Sequence, residues 1–511
     1  MKEVPVIILG GSLVGLCASV FLSWRGVANV VIEKHGASLA HPRAMGFTER
    51  TLEYFRMVGL ADEVPQIPAD ARLRRVKAES LFGSWHQESL WTPGQAVVTE
   101  SLSPCTGAAI AQDKLEPLLR ERAVELGSEL WLGWEMLDFQ QGQDQVTLRV
   151  RKAGSGEVQS IRGAYLIAAD GAKSAVREAL GIGRQGCGAL QKVRSVIFSC
   201  PAADAMLAKG VQQFDISQPG LDAFLTSYGD GRWVLMFTDD KARNDAELTD
   251  AIARALGKAV PFSIITTGQW QLAGLIADSY QQGRVFLAGD AAHQLPPTRG
   301  GFGANTGIED VANLSWKLAW VLAGRSSPAL LDSYNPERQP IGWLRHQQTF
   351  ARPDYARYLA QPLHCPLLGE KAMELGQLYR SAVVLGAGDE LPAAQHPQDW
   401  AGQPGVRAPH LWLGNNQSSL DWFGYGFVLV APDGRWRDIG DTAARQLRLA
   451  LPVQGTELGS DDKAALGKAF GLESGAALVR PDGIIAWRCR EMPADAVRVL
   501  REAWQQAACL S

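Results

Sequence analysis

The first residues of the chain whose types and spacing could do chemistry form the stretch GGSLVG. Gly10 permits a tight bend, Gly15 lets a helix pack closely on a strand, and the N-terminus of that helix offers free N–H groups to a pyrophosphate. A dinucleotide-binding turn reads G-x-G-x-x-G, so Ser12 stands here at its middle glycine. The serine hydroxyl can itself donate to a phosphate oxygen. On these residues alone, an ordinary strand-to-helix turn stays the alternative.

A carboxylate stands at the distance from this turn that nucleotide binding requires. Glu33 ends the next strand, about twenty residues after the glycines, where it can accept hydrogen bonds from both ribose hydroxyls of an adenosine. The nucleotide contacts predicted for this end of the chain are Gly10, Ser12, Leu13, Val14, Gly15, Glu33 and Lys34.

A second carboxylate and a glycine loop occur together in GRVFLAGDAAHQLPPTRGGFGANTGIED. A strand ends at Gly289 and Asp290, which places the Asp290 carboxylate at the sheet edge where ligands of open α/β sheets bind. It can bind the hydroxyls of a ribityl chain. The prolines and glycines that follow, and the helix from Asn305, offer backbone N–H groups to a flat anion such as a reduced isoalloxazine. The alternative is a glycine loop that feeds a buried helix.

The elements that must position these residues alternate as in an α/β protein. VPVIILG, LVGLCASVFLSWRG and VVIEKH predict a strand, a helix and a strand, which form a βαβ unit. QDKLEPLLRERAVELG predicts an amphipathic helix, and AYLIAADGAKSAVREALG a strand that turns into another helix. From about 186 to 280 alternating strands and a GDG turn predict a mostly antiparallel sheet. After a proline-rich stretch, two strands closed by Pro-Asp-Gly and a last helix predict a small α/β domain.

Composition excludes several classes of protein. With 511 residues, 46% hydrophobic and 20% charged, the chain is typical of a globular protein with more than one core. A net charge of −4 argues against nucleic-acid and anionic-membrane partners. The seven cysteines form no C-x-x-C pair and no cluster at metal-ligand spacing, so we expect free thiols and no metal. This cysteine usage, with no apolar run of membrane-spanning length, favours the cytoplasm.

Three separated motifs resemble the group A FAD-dependent aromatic hydroxylases. They are the Glu33 strand, D-G-x-x-S-x-V-R at 170–177, and G-D-A-A-H…P-P…G-G-x-G-x-N-x-G-I-x-D…N-L-x-W-K-L. Later pieces, QPGVRAPHLWL and RPDGIIAWR, resemble the thioredoxin-like C-terminal domain of the longer members. Within the family, GGSLVGL together with HPRAMGFTERTLEYFRMVGL most resembles the anthracycline (aklavinone) hydroxylases.

The resemblance implies an α/β fold: a Rossmann-like FAD-binding domain, a mostly antiparallel substrate-domain sheet and a thioredoxin-like C-terminal domain. The expected bounds are 1–75, 105–185 and 275–352 for the FAD-binding domain, 76–104 and 186–274 for the substrate sheet, 353–400 for a linker and 401–511 for the C-terminal domain. Because this last domain lacks C-x-x-C, we expect it to serve packing or dimerisation rather than thiol chemistry.

The resemblance also gives residues roles at the flavin. Arg43, in HPRA, corresponds to an arginine that lies against the FAD pyrophosphate region and helps nicotinamide reduction, and it is counted as catalytic together with Pro297. Gln112 matches a glutamine near the diphosphate and ribityl chain, whereas His293 is expected to be structural. The cofactor contacts implied in addition to Arg43 and Gln112 are Asp170, Gly171, Gly289, Asp290, Pro297, Gly301, Gly303, Asn305 and Thr306.

Substrate contacts are expected on the middle sheet. Phe224, Tyr228 and Trp233 surround the YGDGRW hairpin, but strand alternation can turn each toward either face, and a core position is the alternative for each. Tyr379 and Arg380 match a segment where related hydroxylases place substrate-facing residues, and an arginine there can stabilise a phenolate.

The implied activity is that of an NAD(P)H- and O2-dependent monooxygenase. Non-covalent FAD, reduced by transient NAD(P)H with NADPH favoured, would form a C4a-hydroperoxide that hydroxylates a phenolic, polycyclic, polyketide-like substrate. The alternatives are Baeyer–Villiger, ring-modifying or cyclisation chemistry on the same scaffold, simple phenol hydroxylation in catabolism, or a flavoprotein that binds a polyketide without turnover. We expect a small-molecule aromatic partner, no nucleic acid or membrane partner, and a monomer or homodimer.

Overall fold

The computed structural model holds three main β-sheets, each packed against helices. It describes residues 1–38, 41, 42, 44–68, 73–88, 101–297, 302–356, 358, 359, 361, 363, 365–414 and 416–510. The strands are β1 Lys2–Leu9, β2 Asn29–Glu33, β3 Gly46–Phe47, β4 Arg75–Ala78, β5 Trp85–Glu88, β6 Ala108–Ala109, β7 Glu129–Leu132, β8 Trp134–Gln141, β9 Val146–Lys152, β10 Val158–Ala168, β11 Arg184–Ser199, β12 Gln213–Gln218, β13 Leu221–Ser227, β14 Arg232–Phe237, β15 Ser263–Ala277, β16 Gln281–Gln282, β17 Val285–Leu287, β18 His293–Gln294, β19 Val428–Val430, β20 Val453–Gln454, β21 Ala476–Val479 and β22 Ile485–Cys489.

Helices cover the sheets and join them. They are α1 Leu13–Trp24, α2 Glu49–Met57, α3 Gln112–Glu125, α4 Ala175–Ala179, α5 Asp245–Leu256, α6 Phe302–Leu322, α7 Tyr334–Phe350, α8 Pro353–Ala356, α9 Glu370–Leu375, α10 Trp436–Leu447, α11 Ser460–Phe470 and α12 Ala496–Ala507. No helix in the part of the chain that the structure describes is both long and apolar enough to cross a membrane.

The first sheet contains the predicted βαβ opening. Its main path is β16-β17-β10-β1-β2-β7, and β1 pairs in parallel with both β2 and β10. Ile8 in the middle of β1 lies opposite Val31 on one side and Ile167 on the other, and all three are fully buried. Such apolar strands are typical of a buried parallel sheet, and here they share one hydrophobic core with residues of α1, α3 and α6.

The second sheet is mostly antiparallel, as its alternating sequence predicts. Its order is β18-β15-β11-β14-β13-β12-β4-β5, and only the β12–β4 pair among these described strands is parallel. The GDG turn joins β13 to β14, where the Tyr228 N–H donates to the carbonyl of Arg232 over 2.9 Å. The α5 helix covers one face of this sheet, and the other face lies toward the first sheet.

The third sheet, β20-β19-β21-β22, belongs to the C-terminal part of the chain. Its core includes residues of α6, because Trp316 and Trp320 pack edge-on against Phe427 with ring centroids 5.8 and 5.0 Å apart. The described residues between 353 and 400 have little regular structure but are packed, since Met373 and Tyr379 share a buried cluster with Ile484. The C-terminal part is therefore joined to the rest by an extensive core.

Candidate functional site

A cavity of about 2970 Å³ lies between the first and second sheets. It begins at the turn after β1, passes the carboxyl ends of β10 and β17, and continues along the exposed face of β12 and β13. A pocket for one small ligand measures about 300–1,000 Å³, so this cavity has room for a large cofactor and a second molecule.

The glycine turn at its first end requires its glycines. Gly10 has φ +106°, and a Cβ there would lie 2.2 Å from the carbonyl oxygen of Ala169 on the neighbouring strand connection. A Cβ on Gly15 would lie 1.8 Å from the carbonyl oxygen of Gly10. Leu13 and Val14 begin α1, whose first-turn N–H groups have no acceptor within the helix. The turn therefore brings bare backbone against the cavity, as a pyrophosphate site needs.

Glu33 lies at the same end of the cavity. One carboxylate oxygen accepts the N–H of Gly11 at 2.7 Å and the other accepts the N–H of His35 at 2.8 Å. Lys34 also lines the cavity. These bonds fix a carboxylate beside the turn in the position that ribose recognition uses.

Ser12 takes part in a contact that the sequence pattern does not reveal. Its hydroxyl donates to Glu116 over 2.6 Å and accepts from the side chain of Gln112 over 2.8 Å, while Arg120 donates to the other Glu116 oxygen over 3.2 Å. Only 2% of Glu116 is exposed. The Ser12 hydroxyl thus donates to a carboxylate, a strong acceptor, and its donation to a phosphate stays a prediction. Glu116 lies one helical turn after Gln112, and this i, i+4 spacing is the signal that could have found it.

Asp170 and Gly171 follow β10 on the cavity wall. The Asp170 carboxylate accepts the N–H of Val176 at 3.3 Å through one oxygen, whereas its other oxygen is buried without a hydrogen-bond partner in the described structure. Burial raises the pKa of this carboxyl above its ordinary value. A Cβ built on Gly171 meets nothing within 4 Å, so this turn borders open space.

Some residues of the segment after β17 line the cavity, and others are buried in the core behind it. Asp290, Pro297 and Gly303 line the cavity. Asn305 is fully buried, accepting from the Thr48 N–H and the Thr51 hydroxyl and donating to the Gly46 carbonyl, so it fixes the start of α2.

Four other residues of this segment also lie behind the cavity lining. Thr306 is buried, and its carbonyl accepts from Arg338. Gly289 donates its N–H to the buried Asp310 at 3.2 Å. Asp310 also bonds His293 over 2.7 Å, in the structural role expected for that histidine. Arg43 and Gly301 lie outside the described residues.

The residues expected to contact substrate fall on different sides of the second sheet. Phe224 lines the cavity, with the Arg75 guanidinium 4.8 Å from its ring centroid. Tyr228 is at the hairpin, where its hydroxyl donates to the carbonyl of Pro42 over 3.2 Å. Trp233 is wholly buried on the opposite face and donates its indole N–H to Asp204 over 2.8 Å. This last position does not support the expected substrate contact.

Tyr379 and Arg380 are also outside the cavity lining. Tyr379 is buried, and its hydroxyl accepts from Arg338. Arg380 donates to the carbonyls of Gly388 and Leu391 in its own loop. Their side chains are occupied within the packed segment, so the structure does not place them toward a substrate.

Four ionisable residues that the sequence reasoning missed also line the cavity. They are Glu49 at the start of α2 and Glu370, Lys371 and Glu374 on α9. Lys371 and Glu49 form an ion pair of 2.6 Å. Nothing in their spacing relates residue 49 to residue 371, because the contact forms only when α9 packs on α2. Among the described residues, no group of His, Cys, Asp and Glu has the arrangement of a metal site.

Comparisons with known proteins agree with this geometry. Residues 3–349 match the model of the FAD binding domain family, and residues 401–508 match the model described as aromatic-ring hydroxylase, C-terminal. Among curated proteins, the chain is 36% identical to the tetracenomycin A2 monooxygenase-dioxygenase of Streptomyces glaucescens, covering 99% of this chain and 97% of that one. It is 36% identical to the 4-methyl-5-nitrocatechol 5-monooxygenase of a Burkholderia species, over 99% and 98%.

Solved structures of related proteins agree with these family matches. A ternary complex of aklavinone-11 hydroxylase with FAD and aklavinone aligns with a TM-score of 0.89 and 32% identity, covering 99% of each chain. The predicted resemblance to anthracycline hydroxylases and the predicted fold class are therefore confirmed. The structure of the rebeccamycin biosynthetic enzyme RebC with reduced flavin aligns with a TM-score of 0.82 and 29% identity.

Proposed function

We propose a function from one premise: the chain belongs to the FAD-dependent aromatic-ring hydroxylases. It is an FAD-dependent monooxygenase that uses NAD(P)H and O2. We propose that its substrate is a phenolic, polycyclic, polyketide-like molecule. The observation that carries this proposal is the single continuous cavity, which extends from the glycine turn to Phe224 and is larger than the cofactor alone requires.

The residues at the first end of the cavity fit FAD. The unpartnered oxygen of Asp170 and the open space beside Gly171 are features that a bound polar ligand would complete. We infer that the glycine turn holds the pyrophosphate, that Glu33 binds the adenosine ribose, and that Asp290 binds the ribityl chain. When bound and reduced, FAD activates O2 so that one oxygen atom is transferred to an aromatic ring.

Residues of the segment after β17 and of the second sheet line the same cavity. They include Pro297 and Gly303 from the segment, and Phe224 with its cross-strand neighbour Met236 from the sheet. We infer that a planar substrate lies between the segment and the sheet, which exclude water from the reacting ring. Arg43 stays a prediction for the reductive half of the reaction. The cytoplasmic location, the preference for NADPH, the monomeric or homodimeric state and the domain boundaries also stay proposals.

A second candidate is hydroxylation of a single-ring catechol. The named activity of the Burkholderia relative favours it at the same 36% identity as the tetracenomycin relative. The size of the cavity favours the polycyclic substrate instead.

The test measures NAD(P)H oxidation by the FAD-loaded enzyme with a tetracyclic phenol and with a nitrocatechol, followed by mass spectrometry under labelled O2. We expect the tetracyclic phenol to stimulate oxidation and to gain one labelled oxygen atom. Stimulation and oxygen gain with the nitrocatechol alone would favour the second candidate. Absence of stimulation by either compound would contradict the proposed function, and a rearranged product would indicate other flavin chemistry.

A further inference from the structure

One part of the cavity wall is formed by α9 and the start of α2. We call this region the α9 wall; it consists of Glu49, Glu370, Lys371 and Glu374. None of these residues has a role in the cofactor site described above. A cavity wall made of three carboxylates and one ammonium group needs an explanation, since a polycyclic aromatic is mainly apolar.

Glu374 is the buried member of the α9 wall. Only 7% of the residue is exposed, although it lines the cavity. Within the described part of the chain, no hydrogen bond or ion pair holds its carboxyl group. Glu49 differs in this respect, because one of its oxygens is paired with Lys371 at 2.6 Å. A buried carboxyl without a partner that borders a ligand cavity is a group placed to meet a ligand.

Burial, together with the neighbouring carboxylates, makes Glu374 a weaker acid than an exposed glutamate. Burial is the main cause that raises its pKa to about 8, and the carboxylates of Glu370 and Glu49 raise it further. Lys371 on the same helix and the buried Arg345 on α7 act in the opposite direction. An ordinary carboxylate has a pKa near 4.3, so Glu374 is a much stronger base than an exposed glutamate.

We propose that the Glu374 carboxylate accepts the proton of the substrate's phenolic hydroxyl. The phenolic O–H bond breaks, the proton bonds to a Glu374 oxygen, and the electron pair stays on the phenolate oxygen. The phenolate ring is richer in electrons than the phenol and so accepts an electrophilic oxygen more readily. This inference rests on the proposed function, because it concerns the same substrate.

A purely structural Glu374 would give a different result from a proton acceptor. A buried neutral acid that only fills space would affect thermal stability but would bind phenols and their ethers alike. A proton acceptor distinguishes them, because an ether has no proton to give. The carboxylate form, which is present above a pH of about 8, accepts the hydroxyl strongly, whereas the protonated form does not.

The experiment titrates the FAD-loaded enzyme, without NAD(P)H, with naphthol and with its methyl ether, and follows tryptophan fluorescence. With a pKa of about 8 the carboxylate fraction rises from about one-eleventh near pH 7 to about ten-elevenths near pH 9. We therefore expect naphthol to bind about tenfold more tightly near pH 9, and the ether to bind equally at both values. In Glu374→Gln, each of the two ligands should bind with the same dissociation constant at both pH values.

Two further variants test the direction of the effect. Glu370→Gln removes an exposed carboxylate from the same helix and should move the midpoint of the naphthol pH dependence to lower pH. Lys371→Met removes a cation and should move it to higher pH. FAD content and the melting temperature control for folding in each variant.

The outcomes separate the two proposals. If naphthol binding still depends on pH in Glu374→Gln, the inference about Glu374 is wrong, whereas the proposed function is not affected. Failure of the wild-type enzyme to bind naphthol and to hydroxylate any polycyclic phenol would overturn the proposed function and this inference with it. With hydroxylation established, kcat/KM of Glu374→Gln should fall by about 100-fold or more, while flavin reduction in the presence of the ether stays unchanged.

Discussion

Replacing Arg480 by methionine would unbalance a buried charge cluster where α6 and α7 meet the C-terminal sheet. Arg480 follows β21 and donates two hydrogen bonds to Glu337 of α7, at 2.7 and 2.9 Å, and further bonds to Asp482. Lys317 of α6 donates to the same Glu337 over 2.9 Å. Every one of these four side chains is at most 1% exposed. Two cations thus balance two carboxylates in a place that water does not reach.

The size of the expected loss of stability follows from this balance of charges. Burial lowers the pKa of Lys317 to about 8, and the cations hold the pKa of Glu337 well below its usual range. Arg480→Met leaves two carboxylates for one ammonium group, and breaking a buried pair costs about 3–5 kcal/mol. Unfolding 511 residues at about 2.1 cal/mol/K each gives an unfolding entropy near 1.1 kcal/mol/K. If unfolding is one cooperative transition, the melting temperature should therefore fall by about 3–5 °C.

Differential scanning calorimetry of the FAD-loaded protein measures this loss. The matched control is Arg480→Met combined with Asp482→Asn, which restores one cation to one carboxylate and should recover more than half of the loss. A loss of less than about 1 °C in the single variant, or no recovery in the double variant, would refute the reasoning from charge balance. A loss several times larger, confined to one of two transitions, would show that the C-terminal part unfolds separately.

Four other substitutions test the cofactor end and the second sheet. Glu33→Ala should raise the FAD dissociation constant at least about tenfold in equilibrium dialysis, because one hydrogen bond to a carboxylate contributes about 1.5–3 kcal/mol; a wild-type value would contradict its role. Ser12→Gly should retain FAD within about threefold, since the Ser12 hydroxyl already donates to the Glu116 carboxylate and accepts from Gln112, and loss of FAD would contradict this. Phe224→Leu should raise the KM of the aromatic substrate with little effect on melting. Trp233→Phe should cost about 1–3 kcal/mol of stability and leave KM unchanged, and the reverse pattern would refute this placement.

The parts of the site that the sequence predicts are those fixed by local chain geometry. Gly10, Gly15 and Glu33 belong to one βαβ unit, where strand and helix lengths determine which residues meet. Asp290 follows the end of a strand in the same sheet, so its place at the carboxyl edge is also predictable. The parallel opening and the antiparallel second sheet follow from the hydrophobic pattern for the same reason.

The parts that the sequence does not predict depend on contacts between distant segments. Ser12 and Glu116 are 104 residues apart, and their bond depends on how α3 packs against α1. Phe224 pairs with Met236, which also lines the cavity, whereas Trp233 lies an odd number of positions from Met236 and points to the opposite face. Alternation alone does not say which face is covered. Tyr379 lies in a segment without periodicity, so no pattern could orient it.

The α6 helix limits where this chain can be cut. Its 21 residues extend about 32 Å, from Gly303 at the cavity to Trp316 and Trp320 in the C-terminal core. An expression boundary placed before residue 401 would expose both tryptophans to water and would leave Lys317 and its partner without Arg480. Chimeras that exchange C-terminal parts between relatives should therefore exchange the facing surface of α6 as well.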